Sequence, residues 1–126
     1  MNEISDKDAF WLYDLKVETV VGDRTSVCRH IEGEGFRVEG ELLVFDQPSK
    51  VSMYALAALL PLLPAKQRAT DPQDWMTTDA EIACPDPNCG GRFRVTRGEK
   101  RLFHHAETTG LPDQRTTPYW RKADAQ

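Results

Sequence analysis

The chain has no apolar run approaching the ~20 residues that a membrane-spanning helix requires, so no helical anchor is expected. It also lacks an excess of positive charge. Lys and Arg number 16 against 20 Asp and Glu, giving a net charge of −4 with both signs interspersed, which argues against the basic face of a nucleic-acid binder. A phosphate loop is missing too, because Gly33-Glu34-Gly35 lacks the strand-to-helix setting and the further glycine such loops use. No Ser-His-Asp arrangement follows from spacing, and there is no internal repeat. The opening residues, Met-Asn-Glu-Ile-Ser-Asp-Lys-Asp, are acidic and polar, the opposite of a signal or transit peptide. The expectation is a cytoplasmic protein. Cysteine is scarce, with three in the chain. An odd count in a reducing compartment favours metal ligation or redox work over a structural disulfide.

Two of those cysteines stand close together, in Ala83-Cys84-Pro85-Asp86-Pro87-Asn88-Cys89-Gly90-Gly91. Pro85 and Pro87 fix φ, remove donors and push the preceding residues toward extended geometry. Asn88 and the two glycines supply the positive-φ tolerance expected of a tight reversal. A loop of this kind can turn both sulfurs toward one point.

A chain of 126 residues suits one domain with a modest core. Residues 1–12 read as an N-terminal arm ending near Phe10 and Trp11. From Tyr13 to Val21 the chain alternates, with Leu15, Val17, Thr19 and Val21 on one face and Asp14, Lys16 and Glu18 on the other, the pattern of a half-buried strand. Thr25 to Ile31 reads as a short extended piece carrying Cys28 and His30. Phe36 to Glu39 alternates again, and Gly40 to Phe45 closes a hairpin whose inward phase stays open. Ser49 or Ser52 can cap a helix in which Val51, Ala55, Ala58, Leu59, Leu62 and Leu63 follow helical spacing. Leu56 and Leu60 add a second apolar stripe, which implies burial on two sides, with the helix kinked or ended at Pro61 and a stop at Pro64. Ala65 to Thr78 reads as a polar loop laid over the core with Trp75. Glu81 to Cys84 and Arg92 to Thr96 read as a hairpin with the cysteine loop at its tip, followed by a turn at Gly98-Glu99. Residues 106–126 read either as an extended arm that orders against a partner through Tyr119 and Trp120 or as a frayed terminus. The expected architecture is therefore α+β: antiparallel β hairpins packed on one buried helix, with a zinc-knuckle loop, in a core domain spanning 13–105.

Zinc takes four ligands in a tetrahedron, and cysteine pairs at hairpin tips commonly supply two. Cys84-x4-Cys89 lies at the upper end of the usual pair spacing, and Gly90-Gly91 leaves backbone amides able to approach a thiolate. A second pair would be Cys28-x-His30, whose spacing on one strand points both side chains to one face. His104 and His105 are alternatives for the fourth position. The competing reading of Cys28 is a small buried hydrophobe. A structural Zn2+ held by Cys28, His30, Cys84 and Cys89 is preferred over a catalytic one, because a thiolate-rich set quenches Lewis acidity and a loop Asp such as Asp86 is more often a turn former than a base. A redox role for Cys84 and Cys89 is weaker still, since no helix N-terminus lowers their thiol pKa.

Taken together, Tyr13-Asp14-Leu15-Lys16-Val17, Cys28-x-His30-x-x-Gly33-Glu34-x-Phe36, Ala55-Leu56-x-Ala58-Leu59-Leu60-Pro61-Leu62-Leu63-Pro64 and Ala83-Cys84-Pro85-Asp86-Pro87 resemble a family of small bacterial and archaeal proteins of largely unassigned role. In that family a Cys-Pro-x-Gly-His stretch precedes a Gly-Asp-x-Phe strand, an Ala-Leu-x-x-Leu-Leu-Pro helix follows, and Cys-Pro-Asp-Pro closes the core. The resemblance covers 13–96. Cys28 and His30 stand two residues closer than in that pattern, Met53 sits where the family often has cysteine, and Cys89 is extra. In size and character the chain is also similar to the small subunits of the ATP-dependent, biotin-independent acetophenone and acetone carboxylases. That likeness implies a non-catalytic, zinc-holding subunit, with ATP, bicarbonate and ketone handled by larger partner subunits. Phe10, Trp11, Tyr119 and Trp120 on the two arms would then contact those partners. The alternatives are a free-standing small metal-dependent enzyme and a thiol or metal sensor.

Overall fold

Alternating chemistry builds the central strand. In the computed structural model, which describes residues 8–21, 31–46 and 48–110, β1 (Ala9–Val20) turns Leu15, Val17 and Thr19 inward and leaves Lys16 in solvent. β2 (Gly35–Glu39) pairs antiparallel to it, with Val17 opposite Phe36 and Leu15 opposite Val38. Those four apolar side chains share one face. β3 (Leu42–Val44) returns through Gly40, whose φ of 63° lies in the left-handed region that glycine tolerates. Val38 opposite Leu43 puts Leu43 on the core side and turns Leu42 and Val44 away from it. β4 (Glu81–Ala83) and β5 (Arg92–His104) form the second hairpin, with Ile82 opposite Phe93. The five-stranded order is β3-β2-β1-β5-β4, so the class is α+β with an antiparallel sheet.

Short helices complete the core. α1 (Met53–Leu59) begins at Ser52, whose Oγ accepts from the amides of Tyr54 at 3.2 Å and Ala55 at 3.5 Å. Ala55 and Leu59 are wholly inaccessible and join Leu15, Val17, Phe36, Val38, Phe93 and Val95 in one cluster. The helix ends before Pro61, one of the two outcomes expected there, but the burial on two sides expected of it does not occur. Pro61 has no amide to donate, the Leu62 amide instead reaches Leu59 O at 2.9 Å, and helix resumes only at α2 (Leu63–Lys66). Pro64 stands in the first turn of α2, where a missing amide costs nothing, so it starts a helical turn rather than stopping one. Only one side of α1 is covered. Met53 and Tyr54 are 72 % and 68 % exposed, because seven residues make about two turns and meet a single sheet face.

Two further expectations are corrected. Gly98-Glu99 does not turn, because β5 runs through both residues. A Cβ at Gly98 would meet Asp14 O at 3.4 Å, and the pairing of β5 with β1 overrides the turn preference of the glycine. Trp75 does not lie over the core. It opens α3 (Trp75–Thr78), capped by Asp74 on the Met76 amide at 2.7 Å, and the residue is 75 % exposed.

The chain divides into two compact units, Tyr13–Lys100 and Met1–Leu12 with Arg101–Gln126. In the second, β1 already includes Phe10 and Trp11, and the Phe10 and Phe103 rings stack at 5.5 Å. There α4 (His105–Thr109) follows β5 directly and ends at Gly110, with φ 69°. Tyr119 and Trp120 lie outside the described residues.

Within the larger unit, buried polar groups tie the α2–α3 region to the sheet. Gln67 Nε2 donates to Gly40 O at 2.7 Å, and Gln67 O accepts the Tyr13 amide at 2.7 Å. Arg97 donates to Lys66 O, the last carbonyl of α2, at 2.7 Å and to Arg68 O just beyond it at 2.8 Å, and lies over the Tyr13 ring at 5.0 Å. Lys66 is itself 3 % exposed, and its ammonium donates to Asp79 O and, at 3.4 Å, to Met76 O.

Two expected outcomes follow from this packing. A Cβ on Gly35 would fall 1.8 Å from Val17 O, so Gly35→Ala should destabilise the fold by about 2–3 kcal/mol; urea unfolding within experimental error of the parent would show that β2 can shift. Burial pushes the Lys66 pKa down, the Arg97 charge pushes the same way, and Asp79 opposes them. A lysine whose folded pKa lies below its unfolded value binds fewer protons folded than unfolded between the two values. Its burial penalty therefore fades, and stability rises with pH, across that window below 10.5. In urea titrations from pH 7 to 10 the parent should gain on Lys66→Met; parallel curves for the two would contradict this.

Candidate metal centre

Immediately after β4 the chain makes a loop set by its own residue types. Asp86 begins a β-turn with Pro87 in second position. Its carbonyl accepts the Cys89 amide at 3.0 Å, and its Oδ1 accepts the Asn88 amide at 2.9 Å, the side-chain turn that Asp-Pro-Asn favours. The Cys84 amide reaches Gly91 O at 3.1 Å and closes the loop onto the hairpin. Gly90 and Gly91 do not take positive φ, contrary to expectation. Both are buried.

Cys84 and Cys89 are 8 % and 3 % exposed and belong to the main apolar cluster. They are thiols rather than a disulfide pair with each other. The Gly91 amide donates to Cys89 Sγ at 3.4 Å. Such an amide-to-sulfur bond lowers the cost of a thiolate, the form that binds metal. The loop thus brings two soft donors inside the fold and aims a backbone dipole at one of them.

The other residues named from the sequence are placed differently. Cys28 and His30 lie outside the described residues. His104 and His105 sit where β5 passes into α4, in the smaller unit. Among the described residues no three of His, Cys, Asp and Glu gather as a metal would require. Asp86 is half-buried, with Oδ1 taken up in the loop's own turn, which is a structural use rather than a base poised toward substrate.

A shallow groove on the opposite side of the sheet is lined by Lys16, Gly33, Arg37, Asp46 and Ser49. Its Arg37 guanidinium is engaged by Asp46, at 2.7 Å through Nε, and by Glu39, and it holds the Asp46 carboxyl below its usual pKa. Arg37 therefore braces the loop after β3. Buried Lys66 carried no sequence signal, since lysine is almost never enclosed without partners, and those partners are carbonyls supplied by the fold.

The chain matches no protein-family model, no curated protein and no solved structure. No helix among the described residues is long and apolar enough to cross a membrane.

Replacing Asp86 by Ala removes the acceptor of the Asn88 amide and should cost about 1 kcal/mol in chemical denaturation. Asp86→Asn retains an acceptor and should stay near the parent. A loss as large in Asp86→Asn as in Asp86→Ala would show that the negative charge, not the turn, matters.

Proposed function

We propose that this chain is a small, non-catalytic subunit of a cytoplasmic multisubunit metabolic enzyme, with a structural Zn2+ stapling its core. The enzyme named by the resemblance is an ATP-dependent aromatic-ketone carboxylase of the acetophenone type. The observation that carries the reading is the cysteine loop, in which two buried sulfurs and an amide-to-sulfur bond stand at the tip of the β4–β5 hairpin. Such a thiol pair suits a closed, structural zinc better than an open, catalytic one. Cys28 and His30 are the proposed remaining ligands, and the chemistry on ATP and ketone belongs to the larger subunits. Exposed Trp11 and Trp75, at 55 % and 75 %, are the kind of aromatic surface that anchors protein contacts.

The test combines metal and partner. The purified chain should carry one zinc, and Cys89→Ser should lose it and unfold more readily, because zinc binding energy is folding energy in such a site. Full stability of Cys89→Ser without metal refutes the staple. A tagged chain should co-purify with larger subunits whose carboxylation depends on it. Turnover of a substrate by the isolated chain would overturn the subunit assignment.

A further inference from the structure

The sheet has two edges, β3 and β4, and their residues differ in kind. β4 carries an exposed Glu81 and runs into Cys84-Pro85, a charge and a proline of the sort that blunt an edge. Leu42-Leu43-Val44 in β3 has neither and is apolar toward both faces. Leu42 is 62 % exposed on the outer face. On the core side Leu43 is 37 % exposed and Phe45, whose ring leans on Phe36 at 5.3 Å, is 43 % exposed. The hydrogen-bond phase of the sheet fixes which backbone groups this edge leaves open. The Thr19 amide bonds Glu34 O at 2.8 Å, and facing residues of antiparallel strands alternate between bonded and non-bonded pairs. Along the β1–β2 register this makes Val17–Phe36 and Leu15–Val38 bonded pairs, so Val38 gives its N–H and C=O to β1. Leu43, opposite Val38 on the other side, therefore turns its own N–H and C=O away from β2 and out of the sheet.

We infer that β3 is a self-association edge: two copies of this chain pair antiparallel through Leu42–Val44 about a two-fold axis at Leu43, joining their sheets into one. The Leu43 amide donates to Leu43 O of the second copy, and the reverse bond closes the pair. Leu42 then faces Val44 of the second copy, apolar against apolar on the outer face. Charge selects both this occupant and its direction. Glu41 and Asp46 bracket the strand. Antiparallel pairing sets Glu41 opposite Phe45 of the second copy, whereas parallel pairing would set each acid against itself. Asp46 meanwhile stays engaged by Arg37 of its own copy. An edge apolar on both faces calls for a strand of the same kind, which a second copy supplies by symmetry, and the two-fold contact closes without leaving a further β3 open. Three residues of edge fall short of the ~800 Å² per partner of a stable interface, so the dimer is weak and reversible. The inference is independent of the metal reading, because β3 contains none of the proposed ligands.

Sedimentation equilibrium on the full chain tests this. The weight-average mass should climb from that of the monomer toward twice that value as the concentration rises from low micromolar to near millimolar. Leu43→Pro removes an amide that the chain's own sheet does not use, so it should keep the fold and abolish the rise. Leu42→Lys puts a charge beside the two-fold axis on a side chain already in solvent, and should weaken association about tenfold or more. Urea unfolding checks that both variants are folded. Amide hydrogen exchange gives a second reading, in which the Leu43 amide slows as concentration rises, while the Val44 amide, paired with Arg37 inside the sheet, does not change. Should Leu43→Pro fail to fold, Leu42→Lys and the Leu43 amide decide the matter. A parent that stays monomeric throughout, or a dimer that persists undiminished in Leu42→Lys, overturns the inference. Protection of the Leu43 amide only when a larger subunit is present gives the edge to that partner and overturns it equally.

Discussion

Everything in the larger unit depends on β1 having one dry face and two strand neighbours. Leu15 and Val17 are each 2 % exposed, and they meet Phe36 and Val38 from β2 and the single covered side of α1. Each such side chain contributes on the order of 1.5–3 kcal/mol when fully buried, while an exposed ion pair such as Arg94–Glu81 contributes at most about 1 kcal/mol. Apolar burial on the centre of the sheet therefore decides the fold, and the charged rows on the other face follow it. A one-residue slip of β1 would turn Lys16 inward and Val17 out. Gly35 holds that register because no side chain fits against the Val17 carbonyl.

Around this centre, a buried lysine and a half-buried arginine close what short helices leave open. α2 and α3 have four residues each, too few to satisfy their own last carbonyls. Arg97 and Lys66 take that role, with Arg97 reaching from β5 and Lys66 from α2. At the far end of the β4–β5 hairpin the cysteine loop is closed by its own backbone, with the Cys84 amide on Gly91 O and the Cys89 amide on Asp86 O.

Much of the fold could be read from residue patterns. The alternation in β1, the hairpin through Gly40, the Ser52 cap and the strands flanking the cysteine loop are all local signals, and each appears in place. The misreadings share one cause. Pro64 and Gly98 carry strong local preferences, but a first helical turn tolerates proline, and paired strands absorb a glycine. The apolar circumference of residues 51–63 suggested burial on two sides, whereas the sheet offers one face. The polar stretch that carries Trp75 forms a helical turn of its own, and the tryptophan stands in solvent at the start of α3.

For the candidate site, the sequence by itself determined the turn: Pro85, Asp86, Pro87 and Asn88 specify a reversal through φ restriction and side-chain hydrogen bonding, and Cys84 and Cys89 are its two thiols. Spacing alone also determined which face of β1 is apolar. The burial of both cysteines in the main cluster and the enclosure of a lysine beside Arg97 came with the tertiary structure alone. Those facts depend on groups brought together from β1, β5 and the helices, residues far apart in the chain, and no local preference encodes such an encounter.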